Sequence, residues 1–439
     1  MRIAPEVRAL LAALFVLSLA GTASAARVGG YVKTFFIVQR LPGANDDAGG
    51  EPRDGRTLLA DNLRTRVEAW LPAAERLDVD LAYNFVPRVQ DDDYARLNPL
   101  AAEGAVSPYR VADLKTFLLP GSPDTTDNLV VLQNLDRAFV TLRLSALDLH
   151  VGRQAIAWGS ARGINPTDVI APFLFTEIDT EHRIGVDAAR ARIPAGALGE
   201  VDAGYIAGED LAVDNSAAYA RVKFSAAHTD IAVLAMRFRR QSLAGLDLAR
   251  ALGGAGTWLE VAAVRNDDDA RSDSPAAGTA VDREAYARLS AGLDYSLGNG
   301  TYLYAEYHYN GAGASDPVLY NLAATTPAYT DGAVYLLGRH YLIPGLSWPA
   351  TPLWTVTASA LVGLSDGSWM LAPIVEYNVR ENFYLSAGGF AGFGERPRSD
   401  PMVYAPPTDP FYAGAAPTIL RSEFGTYPDT FYASLRYYF

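Results

Sequence analysis

The chain has 439 residues, 24 tyrosines, 17 phenylalanines, no cysteine and a formal net charge of −13 at pH 7. The acidic balance argues against nucleic acid as a partner, because nucleic-acid-binding surfaces are basic, and the lack of cysteine excludes disulfides and a cysteine-linked lipid. Mean hydropathy is only +0.03, and beyond residue 25 no apolar stretch reaches the roughly 20 residues that a membrane-spanning helix needs.

The first predicted element is a cleaved signal peptide over residues 1–25. Two arginines within the first eight residues precede an apolar run at 9–20, and residues 23–25 read Ala-Ser-Ala, the small-x-small pattern of a cleavage site. A membrane anchor helix is the alternative, but the run is too short to span hydrocarbon comfortably. We therefore expect a mature chain beginning near Ala26, beyond the inner membrane, with residues 26–439 forming one domain.

From about Val28 onward the sequence repeats segments of about ten residues in which apolar and polar side chains alternate. The clearest early segment puts one set of residues outward and the other inward: Leu63, Thr65, Val67, Ala69 and Leu71 against Arg64, Arg66, Glu68 and Trp70. Successive strand residues point to opposite faces, so each segment predicts a strand with one apolar and one polar face. About 18 strands are predicted, and 16 remain possible because segments 240–256 and 330–350 are the least regular.

The predicted connections alternate between short turns and long loops. Short turns are expected at Pro72–Arg76, Ala146, Gly196-Ala197, His228, Gly298–Gly300, Pro349–Pro352 and Glu381-Asn382, and longer loops near 42–61, 90–133, 160–182, 266–283, 312–332 and 395–425. A soluble sandwich gives similar local patterns. The signal peptide, the loop asymmetry and the aromatic ending favour an all-β, antiparallel, up-and-down transmembrane barrel, since only helices and closed barrels satisfy all backbone groups in lipid.

The polar faces of the predicted strands carry more bases than acids. The residues we predict to line a pore are Arg64, Arg66, Glu68, Arg137, Arg143, Arg221, Lys223, Arg288, Glu306, Glu376, Arg380 and Arg436, and alternation puts Arg237 on the same face. An excess of cations in a narrow passage favours anionic solutes. The alternative is that these charges pair across neighbouring strands and only neutralise one another.

Segment 160–182 is unusually apolar for an outer loop. It carries Ile164, Val169, Ile170, Phe173, Leu174 and Phe175, which need cover. We expect this segment to fold into the barrel mouth as a constriction loop, with its acids facing the basic wall; the residues predicted to act there are Arg162, Asn165, Asp168, Glu177 and Asp179. A lid over the rim or a partner contact is the alternative.

The stretch from Gly152 to Asp168, with its Gly-Arg-Gln, Trp-Gly and Asn-Pro-Thr-Asp pieces, resembles porin-like outer-membrane barrels of Gram-negative bacteria, including 18-stranded barrels of the alginate-export type. The resemblance implies a channel-like fold and does not transfer a substrate. Arg153 breaks the local alternation, so it is expected either at a bulge near Gly152 or at the rim.

The chain ends on an alternating strand, in which every second residue from Phe431 to Phe439 is apolar. This ending resembles that of bacterial outer-membrane barrels, whose terminal Phe is read by the barrel assembly machinery. The resemblance implies Phe439 as an assembly signal and an outer-membrane address, with lipid and lipopolysaccharide as surroundings.

Nothing in the sequence predicts an enzyme, a cofactor or a metal. No histidine is followed two residues later by the serine that an outer-membrane phospholipase needs as nucleophile. The acidic runs at 91–93 and 267–269 suit Ca²⁺ but are more typical of solvated loops. The predicted function is passive diffusion of small hydrophilic, preferentially anionic solutes, through a monomer or a homo-oligomer; the alternative is a structural sheath or an export conduit for a partner protein or polysaccharide.

Overall fold

The computed structural model describes residues 26–42, 55–91, 94, 107–114, 116–119, 128–332, 334–399 and 418–439. The predicted signal peptide lies outside the described residues. Eighteen long strands carry the fold: β1 Arg27–Arg40, β2 Thr57–Ala74, β3 Leu77–Gln90, β4 Leu129–Arg143, β5 Asp148–Gln154, β6 Val186–Ala195, β7 Gly199–Ile206, β8 Ala217–Ala226, β9 Thr229–Phe238, β10 Gln241–Leu252, β11 Ala255–Asn266, β12 Ala285–Ser296, β13 Tyr302–Asn310, β14 His340–Thr351, β15 Trp354–Gly363, β16 Trp369–Arg380, β17 Phe383–Phe393 and β18 Asp429–Tyr438.

The strands form a closed antiparallel barrel. Each strand pairs with its neighbours in the chain, and β1 also pairs with β18, so that Thr34 lies opposite Leu435 and Val38 opposite Phe431. Closure leaves no free edge in the barrel wall. The predicted fold is confirmed, with 18 strands rather than 16, because the two least regular segments supply β10 and β14.

The remaining regular elements are short. A three-residue strand, Phe117–Leu119, pairs with β4, and Arg398–Ser399 pairs with Thr418–Ile419. The helices described are the α-helices Asp268–Ser272, Tyr320–Ala323 and Pro327–Thr330 and the 3₁₀ turns Glu209–Leu211, Val213–Asn215, Pro317–Leu319 and Phe424–Thr426. Within the described part of the chain, no helix has the length and apolarity needed to cross a membrane.

One end of the barrel, here called the short-turn end, carries all seven predicted short turns, and Gly253-Gly254 adds an eighth. Ala227 and His228 have φ of 50° and 61°, which suits a tight two-residue hairpin turn. The opposite, long-loop end carries the six predicted long loops. It also has a two-residue turn after Phe238 and a five-residue turn after Gly363, so two connections at this end are short as well.

Exposure alternates along the strands, as the sequence predicts. Outward side chains are apolar and exposed, for example Phe36 at 55 %, whereas the inner face carries buried polar groups such as Arg66, Asp78 and Glu306. Arg237 was expected inward, but it lies on the exposed face of β9 beside Val233 and Ala235 and bonds Asp267 at the long-loop end. That prediction is wrong because β9 buries its even-numbered residues.

The outer face of β6 to β12 carries an unbroken row of alanines. Each alanine lies directly opposite the next across the strand pairs, in the order Ala191, Ala203, Ala220, Ala235, Ala244, Ala263 and Ala287. The next outward row toward the short-turn end is bulky throughout, with Ile193, Val201, Val222, Val233, Leu246, Val261 and Leu289. On these strands the outer surface therefore has a row of small side chains beside a row of large ones.

Three connections at the long-loop end are joined through Glu423, which is 1 % exposed. Its carboxylate accepts hydrogen bonds from the N–H groups of Leu337 at 2.9 Å and Gly338 at 3.2 Å, and from the Tyr341 hydroxyl. Its own N–H donates to Asp366 at 2.7 Å. The loops after β13, β15 and β17 are thereby held together.

Candidate functional site

Segment 155–185, which joins β5 to β6, is bonded to the inner face of β13 through Glu306. This carboxylate is fully buried and accepts three consecutive backbone N–H groups, from Arg162 at 2.8 Å, Gly163 at 3.1 Å and Ile164 at 2.9 Å. The Trp258 indole of β11 adds a fourth bond at 3.0 Å. Charge-assisted bonds of this kind are roughly twice as strong as neutral ones.

Glu260 of β11 makes a second attachment. It accepts the N–H and the hydroxyl of Thr167 at 2.8 and 2.6 Å and the N–H of Ser160 at 3.2 Å. From β12, Ser290 donates to the Ile164 carbonyl at 2.6 Å, and Arg288 donates to the Pro166 carbonyl at 3.4 Å. The first half of the segment is thus held by buried groups on three neighbouring strands.

Close approach explains the glycines of this half. A Cβ on Gly163 would come within 2.7 Å of Ile343 Cδ1 and 3.1 Å of Glu306 Oε1. Of the apolar residues expected to need cover, Val169 and Ile170 lie in one buried cluster with Ile156 and Trp158 and Ile164 lies in another. Phe173, Leu174 and Phe175 are half-buried.

The second half of the segment is bonded to β1, β2 and β18 by charge. Asp179 contacts Lys33 Nζ at 3.0 Å and Arg64 Nη1 at 2.8 Å. Glu181 contacts Lys33 at 2.5 Å and accepts from the Tyr438 hydroxyl at 2.8 Å. Two opposite sides of the wall therefore hold one segment.

Lys33 is the residue that sequence reasoning missed. It is fully buried, and its ammonium lies 4.0 Å from the centre of the Tyr31 ring. Its signal was available in β1, where the opposite face carries the exposed Phe36 and Val38, so alternation alone assigns Lys33 to the inner face.

Arg66 and Arg137 meet at Asp136, 2.7 Å from each. The register between β3 and β4 shifts at Ala82/Tyr83, where Arg137 and Leu135 are the successive partners. At this irregularity Asp136 has no cross-strand partner on β3. As a result Asp136 and Arg137, which are neighbours in sequence, point to the same face. We call Lys33, Arg64, Arg66 and Arg137 the basic wall.

Two cavities lie along the basic wall and share Arg66 and His182. The upper cavity, of about 370 Å³, is toward the long-loop end, and its charged lining is Arg64, Arg66, Asp136, Glu177 and Asp179. The lower cavity, of about 430 Å³, is toward the short-turn end, and its charged lining is Arg27, Arg66, Glu68, Asp80 and Arg137. Trp70 and Phe139 add aromatic surface to the lower cavity.

The other predicted pore residues are distributed around the barrel. Arg143 pairs with Asp78, Lys223 lies 3.8 Å from Asp230, and Arg436 pairs with Glu376. Arg221 faces inward on β8 beside Lys223, and Arg380 lies over the Phe383 ring at 5.8 Å, next to the last short turn. These residues therefore lie away from Arg64, Arg66, Glu68 and Arg137. Arg436 is the exception, because it lies opposite Lys33 of the basic wall in the β1–β18 pair.

The residues predicted to act in segment 160–182 also lie at different places in the structure. Arg162 stacks over Trp258 at 5.6 Å and contacts Asp294 at 3.2 Å. Asn165 accepts from the Asp168 N–H at 3.2 Å, and the buried Asp168 carboxylate pairs with Arg183. Only Glu177 and Asp179 of this set line the upper cavity.

Burial and neighbouring charges shift the pKa values of these acids in different directions. Burial raises the pKa of Glu177 to about 7 and, despite Arg183, that of Asp168 to about 6. Burial also acts on Asp179, but Arg64 and Lys33 outweigh it and hold its pKa below the ordinary value.

The Gly-Arg-Gln residues have a structural role. Gly152 has φ of 120°, and Arg153 after it is buried, bonding Asp187 at 2.8 Å and Asp113 at 2.8 Å. Of the acidic runs, Asp267 bonds Arg237 and Asp268 lies 3.5 Å from Arg271, while Asp92 and Asp93 lie outside the described residues. Over the described ranges, no group of three or more metal-ligating side chains comes together.

Comparison with solved structures finds the same barrel. Pseudomonas aeruginosa OccK3 (OpdO) matches at a TM-score of 0.54 and 12 % identity, over 97 % of this chain and 99 % of its own. OccK8 (OprE) of the same organism matches at 0.53 and 9 %, over 95 % and 99 %, and the P. aeruginosa outer membrane protein OpdK at 0.51 and 9 %, over 95 % and 100 %.

No known family profile matches the chain. No curated protein matches it either. At these identities the likeness shows the fold, which is that of porin-like barrels of the Gram-negative outer membrane.

Proposed function

We propose that the chain is an outer-membrane channel for passive diffusion of small hydrophilic solutes, preferentially anionic ones, and that segment 155–185 lies in the lumen and narrows it. The carrying observation is the basic wall, along which two cavities have Arg66 and His182 in both of their linings. A solute moving from one cavity to the other passes these two side chains.

The narrowing is supported by where the segment is bonded. Glu260 and Glu306 hold its first half on β11 and β13, and Lys33 and Arg64 hold its second half on β1 and β2. The strands that hold the two halves are six to nine positions apart around the ring of 18, so a segment tied to both crosses the interior. An open sheath or export conduit, the alternative role, is disfavoured for the same reason.

The anion preference is supported by the lower cavity, where three arginines face two carboxylates. The upper cavity has more acids than bases, but Asp136 and Asp179 are paired with the basic wall and Glu177 is half neutral near pH 7. A low-dielectric passage of this charge pattern concentrates anions.

The setting of the channel follows from the same fold. We propose that lipid and lipopolysaccharide surround the apolar outer face, that residues 1–25 are removed before assembly, and that the assembly machinery reads Phe439. A homo-oligomer is compatible with this outer surface.

Planar-bilayer recording tests the proposal on the mature chain. We expect discrete conductance steps and a reversal potential that favours chloride over potassium in a KCl gradient. Arg137→Glu should reverse that preference, whereas Arg143→Glu, the same charge change on a half-exposed side chain paired with Asp78, should shift it less. Absence of steps, or cation preference in the unaltered chain, would sink the proposal.

A further inference from the structure

Asp179 lies within a row of three bases. Lys33 on β1 is the direct cross-strand partner of Arg64 on β2 and of Arg436 on β18. Like charges directly opposite each other on neighbouring strands are destabilising, so the row Arg64–Lys33–Arg436 requires an anion close by.

Arg436 pairs with Glu376 on β16, so the anion is needed beside Lys33 and Arg64, and it comes from segment 155–185 rather than from the barrel wall. The Asp179 carboxylate lies 3.0 Å from Lys33 Nζ and 2.8 Å from Arg64 Nη1. Lys33 has no exposed side-chain surface, while Arg64 and Asp179 retain 20 % and 11 %. Arg64 and Asp179 both line the upper cavity, so this contact is open to a solute there.

We propose that Arg64, Lys33 and Arg436 form an anion-binding row, that Asp179 occupies it in the resting channel, and that a permeating anion binds there in its place. The inference rests on the proposed function, since it needs an anion moving through the lumen. One carboxylate leaves as one anion arrives, so the charge balance of the row is kept.

The two attachments of the segment differ in a way that allows this exchange. The first half is held by buried carboxylates that accept several N–H and hydroxyl donors each. The second half is held through the side chains of Asp179 and Glu181, and residues 174–183 contain no strand or helix. An ion pair at a cavity wall exchanges with dissolved ions more readily than a buried set of backbone hydrogen bonds.

The test is the concentration dependence of chloride conductance in bilayers. In the unaltered chain chloride competes with Asp179, so half-saturation should come at high KCl. Asp179→Asn removes the carboxylate that Lys33 and Arg64 share, and the half-saturating concentration should fall several-fold. Asp179→Glu restores the carboxylate and should return the behaviour of the unaltered chain.

Glu177→Gln is the control, because it removes a carboxyl from the same cavity and keeps the ion pairs of Asp179 with Lys33 and Arg64. It should raise anion preference without lowering the half-saturating concentration. If both variants shift half-saturation equally, or Asp179→Asn does not shift it, the resident-anion inference is wrong.

Two further points keep the test decisive. Lys33 keeps its ion pair with Glu181, at 2.5 Å, when Asp179 is changed. Asp179→Ser is a second way to remove the Asp179 carboxylate should the asparagine variant not fold. Cation preference in the unaltered chain would overturn the proposed function alone, since chloride binding is read from concentration dependence and not from the sign of selectivity.

Discussion

At the scale of single residues, two buried glutamates decide where segment 155–185 lies. Glu306 and Glu260 are fully buried, and neither relies on a single cation; each is satisfied by several backbone or hydroxyl donors. A buried carboxylate is tolerated only when such donors replace its water. The backbone must therefore approach β11 and β13 closely.

Gly163→Ala tests that close approach. The added Cβ would come within 2.7 Å of Ile343 Cδ1 and 3.1 Å of Glu306 Oε1, so either the segment or the Ile343 side chain must shift. We expect a loss of about 1–3 kcal/mol in unfolding free energy and a changed conductance. Urea unfolding in detergent and bilayer recording measure the two effects.

Gly298→Ala is the control for that substitution, because nothing lies within 4 Å of its Cβ position. Both readouts should stay at the values of the unaltered chain. Equal behaviour of the two variants would mean that the Gly163 contact does not position the segment.

At the scale of elements, the packing of three loops at the long-loop end depends on Glu423, whose carboxyl lies among other groups that can lose a proton. The groups facing Glu423 are Asp366 and the hydroxyls of Tyr320 and Tyr341. Burial raises the pKa of Glu423 to about 7, and its hydrogen bonds only partly offset this. A folded pKa above the ordinary value stabilises at low pH, and that contribution is lost as pH rises through about 7.

The loop packing should therefore weaken as pH rises from about 5 to about 7 and change little above that. Cleavage by an added protease after β13 or after β17 should accelerate over this range, by at most about tenfold per pH unit for one titrating group. Glu423→Gln, which stays neutral, should flatten the dependence. The same acceleration in that variant would assign the effect to another group.

Strand alternation predicted the 18-strand barrel and its turns, whereas the meeting points of charges depended on irregularities. Arg66 and Arg137 follow the alternation, but Asp136 joins them through a register shift that no local pattern marks. Arg237 failed because burial in β9 follows the other parity. The inward position of Lys33 could have been predicted from strand alternation, as that of Arg64 was. Its bond to Asp179 could not, because the two residues are 146 positions apart in the sequence.

At the scale of the whole molecule, closure depends on the last residue as well as on the last strand. Phe439 exchanges two backbone hydrogen bonds with Gly30, each of 3.0 Å, and its side chain is 53 % exposed. A Cβ on Gly30 would lie 2.0 Å from the Arg66 carbonyl oxygen and 3.1 Å from the Phe439 ring. The backbone of Phe439 thus extends the pairing of β1 with β18 by one residue, while its ring is about half exposed.

Phe439→Ala should separate these two roles. It keeps the backbone bonds, so refolding into lipid vesicles should change little, but assembled protein in cells should fall several-fold if the ring is an assembly signal. Phe431→Ala, an exposed Phe of the same strand at 59 %, is the control. Comparable cellular amounts of the two variants would exclude a special role for the terminal ring.

The row of alanines from Ala191 to Ala287 gives the barrel a shallow oblique furrow. Adjacent strands are about 4.8 Å apart, so seven strands carry it over about 30 Å, beside a ridge of valine, isoleucine and leucine. Hydrocarbon chains crossing the furrow meet methyl groups and backbone rather than large side chains. The outer wall is therefore recessed along this line, and any large side chain introduced there would project from it.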